Sequence, residues 1–272
     1  MKLLERLETL SKIGLTDHGI CRSAGSREDD DARMLIIDWM FEDNLNVRSD
    51  EHRNIRGYTE GEGPPIVIGS HIDTVSTAGK YDGVLGVLAG LEVARALGGI
   101  VSCPIEVVVF YDEEDTMSGS IGYCAKRPDI KAFLELHVEQ GPVLESCNTD
   151  IGVVTGIVGQ RRCSFTVYGQ GNHAGTTPMD MRDDALVKSA PIISYVNQKA
   201  MNQDGLVATI SQVELKPNAF SVIPSEVVMT MQVRDLDGDN MDDFVDEITQ
   251  TFNLDTKILH SSQPAMCDYG LM

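Results

Sequence analysis

Nothing in this sequence approaches the roughly 20 consecutive apolar residues that span a bilayer. Its amino terminus, Met1-Lys2-Leu3-Leu4-Glu5-Arg6-Leu7-Glu8, is charged throughout and lacks the apolar block of a signal peptide. Basic charge is scarce as well. Only 22 Lys and Arg face 42 Asp and Glu, a net charge of -20, and such a field repels phosphate backbones and anionic lipid. Neither nucleic acid nor a membrane surface is therefore an expected partner, and a cytoplasmic location is expected. The six cysteines (Cys21, Cys103, Cys124, Cys147, Cys163, Cys267) form no Cys-x-x-Cys pair. That spacing argues against a zinc ribbon or a disulfide scaffold and leaves reduced, buried thiols as the expectation. No internal repeat or low-complexity segment is present.

What is there is a chain of 272 residues, 42% hydrophobic, enough to bury the cores of two ordinary domains. Leu3, Leu4, Leu7 and Leu10 recur at helical spacing, as do Met34, Ile37 and Phe41, so two amphipathic helices are expected to open the chain. Ile66-Val67-Ile68 and Ile105 to Tyr111 are β-branched and aromatic runs of the kind buried in a parallel sheet. Between them Val84, Leu85, Val87, Leu88, Leu91, Ala94 and Leu97 spell a largely apolar helix. The order strand, helix, strand predicts a βαβ unit. From about Gly152 the pattern changes to a strand at 162–168, a helix at 182–202, strands at 206–213 and 227–233, a helix at 241–252 and a strand at 256–260. That order is the one of a small ferredoxin-like sandwich. The expected organisation is thus α/β, with residues 1–152 as one domain, 153–264 as an inserted α+β domain, and 265–272 starting a return to the first.

Four polar islands sit at the ends of the expected strands or on tight turns: Gly69-Ser70-His71-Ile72-Asp73, Lys80-Tyr81-Asp82-Gly83, Asp112-Glu113-Glu114 and His137-Val138-Glu139-Gln140. In open α/β sheets, sites collect beyond the carboxyl ends of strands. Imidazole and carboxylate together suit zinc, manganese or cobalt, and a carboxylate on a glycine-flanked turn such as Asp82 can offer one oxygen to each of two ions. Asp73, two residues from His71, is placed to accept the other ring N–H and fix the tautomer. Of two adjacent glutamates, one can bind metal while the other takes a proton from an activated water. His18, His52 and His260 lack such a context and read as surface or packing residues, while Met179, Met181, Met229 and Met231 read as core filler.

Taken together, Gly69-Ser-His-Ile-Asp-Thr-Val75, Gly79-Lys-Tyr-Asp-Gly83, Asp112-Glu-Glu114, Glu135-Leu-His-Val-Glu-Gln-Gly-Pro142 and His173-Ala-Gly-Thr-Thr-Pro-Met179 resemble the M20 metallopeptidase superfamily. The resemblance runs from about Gly19 onward and is closest to the amidase, hydantoinase and carbamoylase branch, which includes N-carbamoyl-L-amino-acid hydrolases and allantoate amidohydrolases. It implies a zinc-peptidase-like catalytic domain carrying a lid and dimerisation domain, and two divalent metal ions, zinc or manganese, with cobalt or nickel as alternatives. His71, Asp82 and His137 would hold one ion, with Asp82 bridging to a second held also by Glu114. Glu113 would be the general base, and His173 would stabilise the oxyanion in the partner subunit's site, which implies a homodimer. Gln160 and Arg234 match substrate-contacting positions, and the planar fork of Arg234 suits a carboxylate. Without the resemblance, Arg234 beside Asp235 reads as a surface ion pair.

The sequence departs from the family pattern in three places. The family's last ligand, a histidine in a Gly-His-Asp segment, has no counterpart within these 272 residues, so the expected catalytic domain is incomplete at its carboxyl end and the second ion lacks a ligand. The connection from Asp115-Thr116-Met117 to Glu135 is short for the family, and Ser221 stands in Pro217-Asn-Ala-Phe-Ser-Val-Ile-Pro224 where relatives carry a substrate-contacting Asn. The expected activity is metal-dependent hydrolysis of the ureido C–N bond of a small N-carbamoyl amino acid. Allantoate is the alternative substrate, since it also places a ureido group beside a carboxylate. A catalytically inactive, truncated remnant that dimerises through its lid is the alternative of a different class, and an aminopeptidase ranks below both.

Overall fold

The computed structural model describes residues 2–98, 100–126 and 129–271. The chain divides into two compact units, Met1–Thr149 and Asp150–Met272.

In the first unit, α1 (Lys2–Leu10) is followed by a minimal hairpin of β1 (Leu15–Thr16) and β2 (Gly19–Ile20). Next come α2 (Arg27–Glu42), β3 (Asn46–Ser49), β4 (Ile55–Tyr58) and β5 (Ile66–His71), then α3 (Val84–Leu97) and β6 (Ile105–Phe110). The unit ends with α4 (Ser118–Ala125), β7 (Ala132–Leu134) and the short α5 (Val143–Ser146). Five strands form one sheet in the order β3-β4-β6-β5-β7. β5 runs parallel to both β6 and β7, whereas β4 is antiparallel to its neighbours. The β5-α3-β6 segment is thus the βαβ unit expected from the apolar runs. α3 buries Val84, Val87, Leu88, Leu91 and Ala94, and every residue of β6 is buried.

α2 starts where Ser26 accepts the N–H of Asp29 and where Glu28, Asp29 and Asp30 complement the positive end of the helix dipole. Its inward face differs from the sequence expectation. Met34 and Phe41 are 58% and 60% exposed, while Ala32, Ile36, Trp39 and Met40 are buried. The longer apolar stripe, spaced i, i+4, i+7, i+8, is the one that reaches the core.

Glu106 on β6 is wholly buried and makes a bidentate pair with Arg56 of β4, Oε1 to Nε at 2.5 Å and Oε2 to Nη2 at 3.0 Å. The Tyr123 hydroxyl donates to the same carboxylate at 3.3 Å, and the guanidinium lies 4.8 Å from the Tyr123 ring centroid. Geometry of this quality offsets the cost of desolvating both charges, but a lone partner would be stranded.

In the second unit, β8 (Gly156–Ile157) precedes β9 (Gly159–Tyr168), a 3-10 turn at Met179–Met181, α6 (Ala185–Met201), β10 (Val207–Lys216) and β11 (Glu226–Asp235). α7 (Gly238–Thr251), β12 (Thr256–Ser262) and β13 (Ala265–Met266) complete it. The sheet order β10-β11-β9-β12, antiparallel throughout, is that of a ferredoxin-like sandwich. β13 pairs with β8 inside this unit. One face of the sheet, carrying Phe165, Val167, Met229, Met231 and Val233, packs on Ile192 and Val196 of α6 and Phe244 and Ile248 of α7.

α6 begins at Ala185 because the Asp184 carboxylate takes the N–H groups of Leu186 and Val187. Met229 and Met231 fill the core as expected, but Met179 and Met181 are 77% and 68% exposed, because they lie on the short turn before α6. All six cysteines are free, and only Cys163 is fully buried, with Cys124 and Cys147 exposed. Burial pushes the Cys163 thiol up to about 11.

Glu106→Ala is expected to destabilise the first unit by about 3 kcal/mol, because the half-buried Arg56 loses its one carboxylate partner among the described residues. Urea unfolding followed by tryptophan fluorescence checks this, and a loss below about 1 kcal/mol, the range of exposed pairs, would contradict it.

Candidate metal centre

Parallel strands deliver the polar islands to one edge of the first unit. His71 is the last residue of β5, in register with Phe110 at the end of β6, so the loops after these two strands leave side by side. Glu113 and Glu114 follow β6, and His137 follows β7. Asp82 and Gly83 lead into α3, whose amino end meets this edge. Gly83 adopts a φ of 64°, and a Cβ there would lie 2.5 Å from His71 Nε2. Only glycine accepts both conditions, so the expected tight turn around Asp82 is also what lets the imidazole approach it.

His71, Asp82 and His137 each offer a donor atom within 4.8 Å of the other two, which makes them the one such group among the described residues. His71 is buried, with Nδ1 3.0 Å from the Asp73 backbone oxygen. His137 Nδ1 lies 2.7 Å from the Val138 oxygen. A carbonyl only accepts, so Nδ1 carries the proton in each ring and the neutral imidazole keeps its lone pair at Nε2. Asp82 Oδ1 is buried without a hydrogen-bond partner, 3.3 Å from His137 Nε2. Three lone-pair donors thus face one another. A divalent cation reconciles all three at once, whereas a single proton reconciles one pair. The donor set fits a metal ion of the zinc or manganese type.

Asp73 fixes the His71 tautomer by its backbone oxygen rather than by its carboxylate, whose Oδ1 stays 3.7 Å away. The carboxylate instead accepts the Glu114 N–H through Oδ2 at 3.1 Å, which ties the glutamate loop to the end of β5. Its other oxygen, Oδ1, is buried and unpartnered. Glu113 Oε2 lies 3.5 Å from His71 Nε2, next to the donor cluster. Burial pushes the carboxyls of Glu113 and Glu114 above the usual range, and neighbouring carboxylates reinforce it. The Glu114 carboxylate stays outside the three-donor group. Asp82 Oδ2, the oxygen a bridging role would turn to a second ion, accepts a hydrogen bond from Gln140 Nε2 at 2.9 Å.

Gln160 and Arg234 are register partners on β9 and β11. Between them lies a residue the sequence reading passed over. The Gln232 amide oxygen, turned toward them, accepts from Gln160 Nε2 and from Arg234 Nε and Nη2, each at 2.6 Å. One edge of the guanidinium is thus occupied, and no side chain among the described residues bonds to the other. Asp235 is buried and bonds to the Asp237 N–H and Asn240 Nδ2 instead, so the surface ion pair with Arg234 does not form.

His173 pairs with Val222 in an isolated bridge, and the Ala174 N–H donates to the Ser221 oxygen at 2.8 Å. Its Nδ1 accepts the Gly175 N–H at 3.0 Å, so the ring proton sits on Nε2, free to donate. His173 lies beyond the Tyr168/Glu226 end of the sheet and Arg234 near the opposite end. The eight residue steps from Glu226 to Arg234 span about 26 Å at ~3.3 Å each.

A buried histidine, a half-buried carboxylate, a third ligand on a neighbouring loop and an adjacent glutamate fit a metal-dependent hydrolase. Residues 67–270 match peptidase family M20/M25/M40. An N-carbamoyl-L-amino-acid amidohydrolase from Pseudomonas sp. (strain NS671) is 34% identical over 93% of this chain and 74% of its own length. Allantoate amidohydrolase of Bacillus subtilis (strain 168) is 32% identical over 85% of this chain and 68% of its own. The crystal structure of an amidase of the hydantoinase/carbamoylase family from Burkholderia multivorans superposes with a TM-score of 0.83 at 31% identity, covering 98% of this chain and 79% of that one. The chain belongs to the M20/M25/M40 family and is a metal-dependent amidohydrolase.

Gly83→Ala, which drives a methyl group into the His71 ring, is expected to weaken Zn(II) binding at least tenfold, as disruption of a ligand's support does elsewhere. Competition with a chromophoric chelator measures this. An affinity equal to that of the unmodified chain would show that His71 does not bind metal in this orientation.

Proposed function

We propose that this protein hydrolyses the ureido C–N bond of a small N-carbamoyl amino acid, releasing the amino acid, ammonia and carbon dioxide. The convergence of His71, Asp82 and His137 beside Glu113 carries the reading, and the names of the relatives support the substrate class. A divalent ion on those three ligands, zinc or manganese, supplies Lewis acidity and makes water a competent nucleophile at neutral pH. Glu114 and Asp82 would be the residues to hold a second ion.

Glu113 takes the proton of the attacking water and returns it to the leaving nitrogen. Its raised affinity for protons suits that shuttle. Arg234, held by Gln232, takes the substrate carboxylate through its free edge, and Gln160 flanks it. His173 donates from Nε2 to the oxygen that gains charge. Within a single copy His173 lies beyond Glu226, itself about 26 Å from Arg234 at ~3.3 Å per residue, too far for one small molecule, which supports a homodimer in which each copy lends His173 to the other.

Allantoate is the second reading, supported by relatives from Bacillus subtilis and Escherichia coli at 32% and 33% identity. Six free cysteines fit a reducing compartment, the cytoplasm. No described helix is long and apolar enough to cross a membrane.

A panel of N-carbamoyl amino acids and allantoate, assayed for ammonia with Zn(II) or Mn(II), tests the activity. Turnover of neither class would refute the proposal, and a preference for allantoate would replace the first reading by the second. Glu113→Gln is expected to lower kcat by about 10²–10⁴-fold, the range for losing a general base, with metal content unchanged. Mixing Glu113→Gln with His173→Ala is expected to restore about a quarter of the activity, because half of randomly assorted dimers are hybrids and each rebuilds one of two sites. No recovery on mixing would mean that each copy uses its own His173.

A further inference from the structure

Arg22 is the largest fully buried side chain, 1% exposed, and nothing in the hydrolytic chemistry uses it. Its guanidinium has no carboxylate partner among the described residues and bonds to backbone oxygens alone: Nε to Ile72 at 3.0 Å, Nη1 to Leu10 and Ile13 at 3.3 and 3.0 Å. Asp29 and Asp73 act on its charge from farther away. Replacing a buried charge by an apolar side chain of similar volume is often neutral or stabilising, so a charge kept here has its use in where the donors point.

They point at two segments far apart in sequence. Leu10 ends α1, whose last carbonyls have no partner within the helix, and Ile72 stands between His71 and Asp73. Residues 72–81 connect His71 to Asp82 without a strand or helix of their own. What fixes their path is mainly the amino-terminal segment. The Arg22 N–H donates to Thr74 Oγ1 at 2.8 Å, and the Thr74 N–H donates to the Arg22 oxygen at 3.0 Å. Ile20 and Ala78 exchange both backbone bonds at 2.9 Å, and Glu8 of α1 pairs with Lys80, two residues before Asp82. Gly19 permits this approach, since at its φ of 129° a Cβ would lie 2.8 Å from the Ala78 oxygen. A helix of nine residues such as α1 is too short to persist in water by itself, so α1 in turn depends on the docking.

We infer that residues 2–22 brace the loop between His71 and Asp82, with Arg22 as the positioning residue, and that docking of this brace and occupation of the metal site stabilise each other. The stretch that matches the family begins at residue 67, and the brace lies outside it. The inference rests on the reading of His71 and Asp82 as ligands. Coupling between two sites is reciprocal: what an ion gains from a loop already held in place, α1 gains in protection against local opening.

Hydrogen exchange read by mass spectrometry on the full chain, in EDTA and with one Zn(II) per chain, measures that coupling. Zn(II) is expected to slow exchange in residues 2–13 by about tenfold or more, within the usual range of coupling between sites, and to slow β3 and β4, at the edge of the same unit's sheet, much less. Arg22→Met keeps the bulk and removes the donors. It is expected to weaken Zn(II) binding about 10–100-fold in competition with a chelator, the range for groups that support a metal ligand, and to abolish the protection that Zn(II) gives α1.

Equal protection of α1 and of the β3/β4 pair would mean that the ion stabilises the whole unit without regard to the brace, and unchanged exchange in α1 would mean no coupling. Either result overturns the inference, and both are read on the unmodified chain, whether or not Arg22→Met folds. A folded Arg22→Met that binds Zn(II) as tightly as the unmodified chain overturns it as well. An unmodified chain that takes up no Zn(II) refutes the ligand assignment and the coupling with it, and the absence of binding tells that failure apart from the others.

Discussion

Two imidazole Nε2 atoms and one carboxylate oxygen face one another in the first unit. Much of the first unit is arranged around that confrontation. The His71 and His137 rings each spend Nδ1 on a backbone oxygen, which forces Nε2 to be the free nitrogen, and Asp82 Oδ1 is buried with nothing to accept from. Hydrogen bonds do not resolve all of such a cluster, because one shared proton joins only one pair. A cation does, and the stabilisation it gains there is folding free energy as well as binding free energy.

The fold supplies this geometry from elements far apart in sequence. The parallel pairs β5/β6 and β5/β7 place three strand ends together, so that His71, the glutamate pair and His137 leave the sheet on one side. The loop from β5 into α3 brings Asp82 back to them, and Gly83 removes the side chain that would keep the helix start from the His71 ring. Asp73 links two of these loops through the Glu114 N–H. The second unit organises a different chemistry, an arginine with one edge fixed and one edge free, on the sheet face that its helices leave uncovered.

Much of this was legible from residue order. The apolar runs at Ile66 and Ile105 with the helix between them specified the βαβ unit, and the alternation from Arg162 onward specified the antiparallel sandwich. The ligand types and their order named the family before any coordinates. What stayed hidden has physical causes. Periodicity over three residues could not decide which side of α2 faces inward, since Met34, Ile37 and Phe41 compete with the longer stripe through Ile36, Trp39 and Met40. Sequence proximity suggested that the Asp73 carboxylate would hold the His71 ring, but after β5 the chain presents its backbone oxygen to the ring instead. Gln232 acts through partners reached only by tertiary folding. An amide carries no distinctive signal in sequence.

The central claim is that His71, Asp82 and His137 form one metal centre through two imidazole Nε2 atoms and one carboxylate oxygen. X-ray absorption at the zinc edge of the protein loaded with no more than one zinc per chain tests it most directly, because imidazole gives a distinctive multiple-scattering pattern. The account predicts two imidazole nitrogens at about 2.0–2.1 Å together with oxygen ligands at about 2.0–2.2 Å. A shell of oxygens alone, or one with a single imidazole, would contradict it.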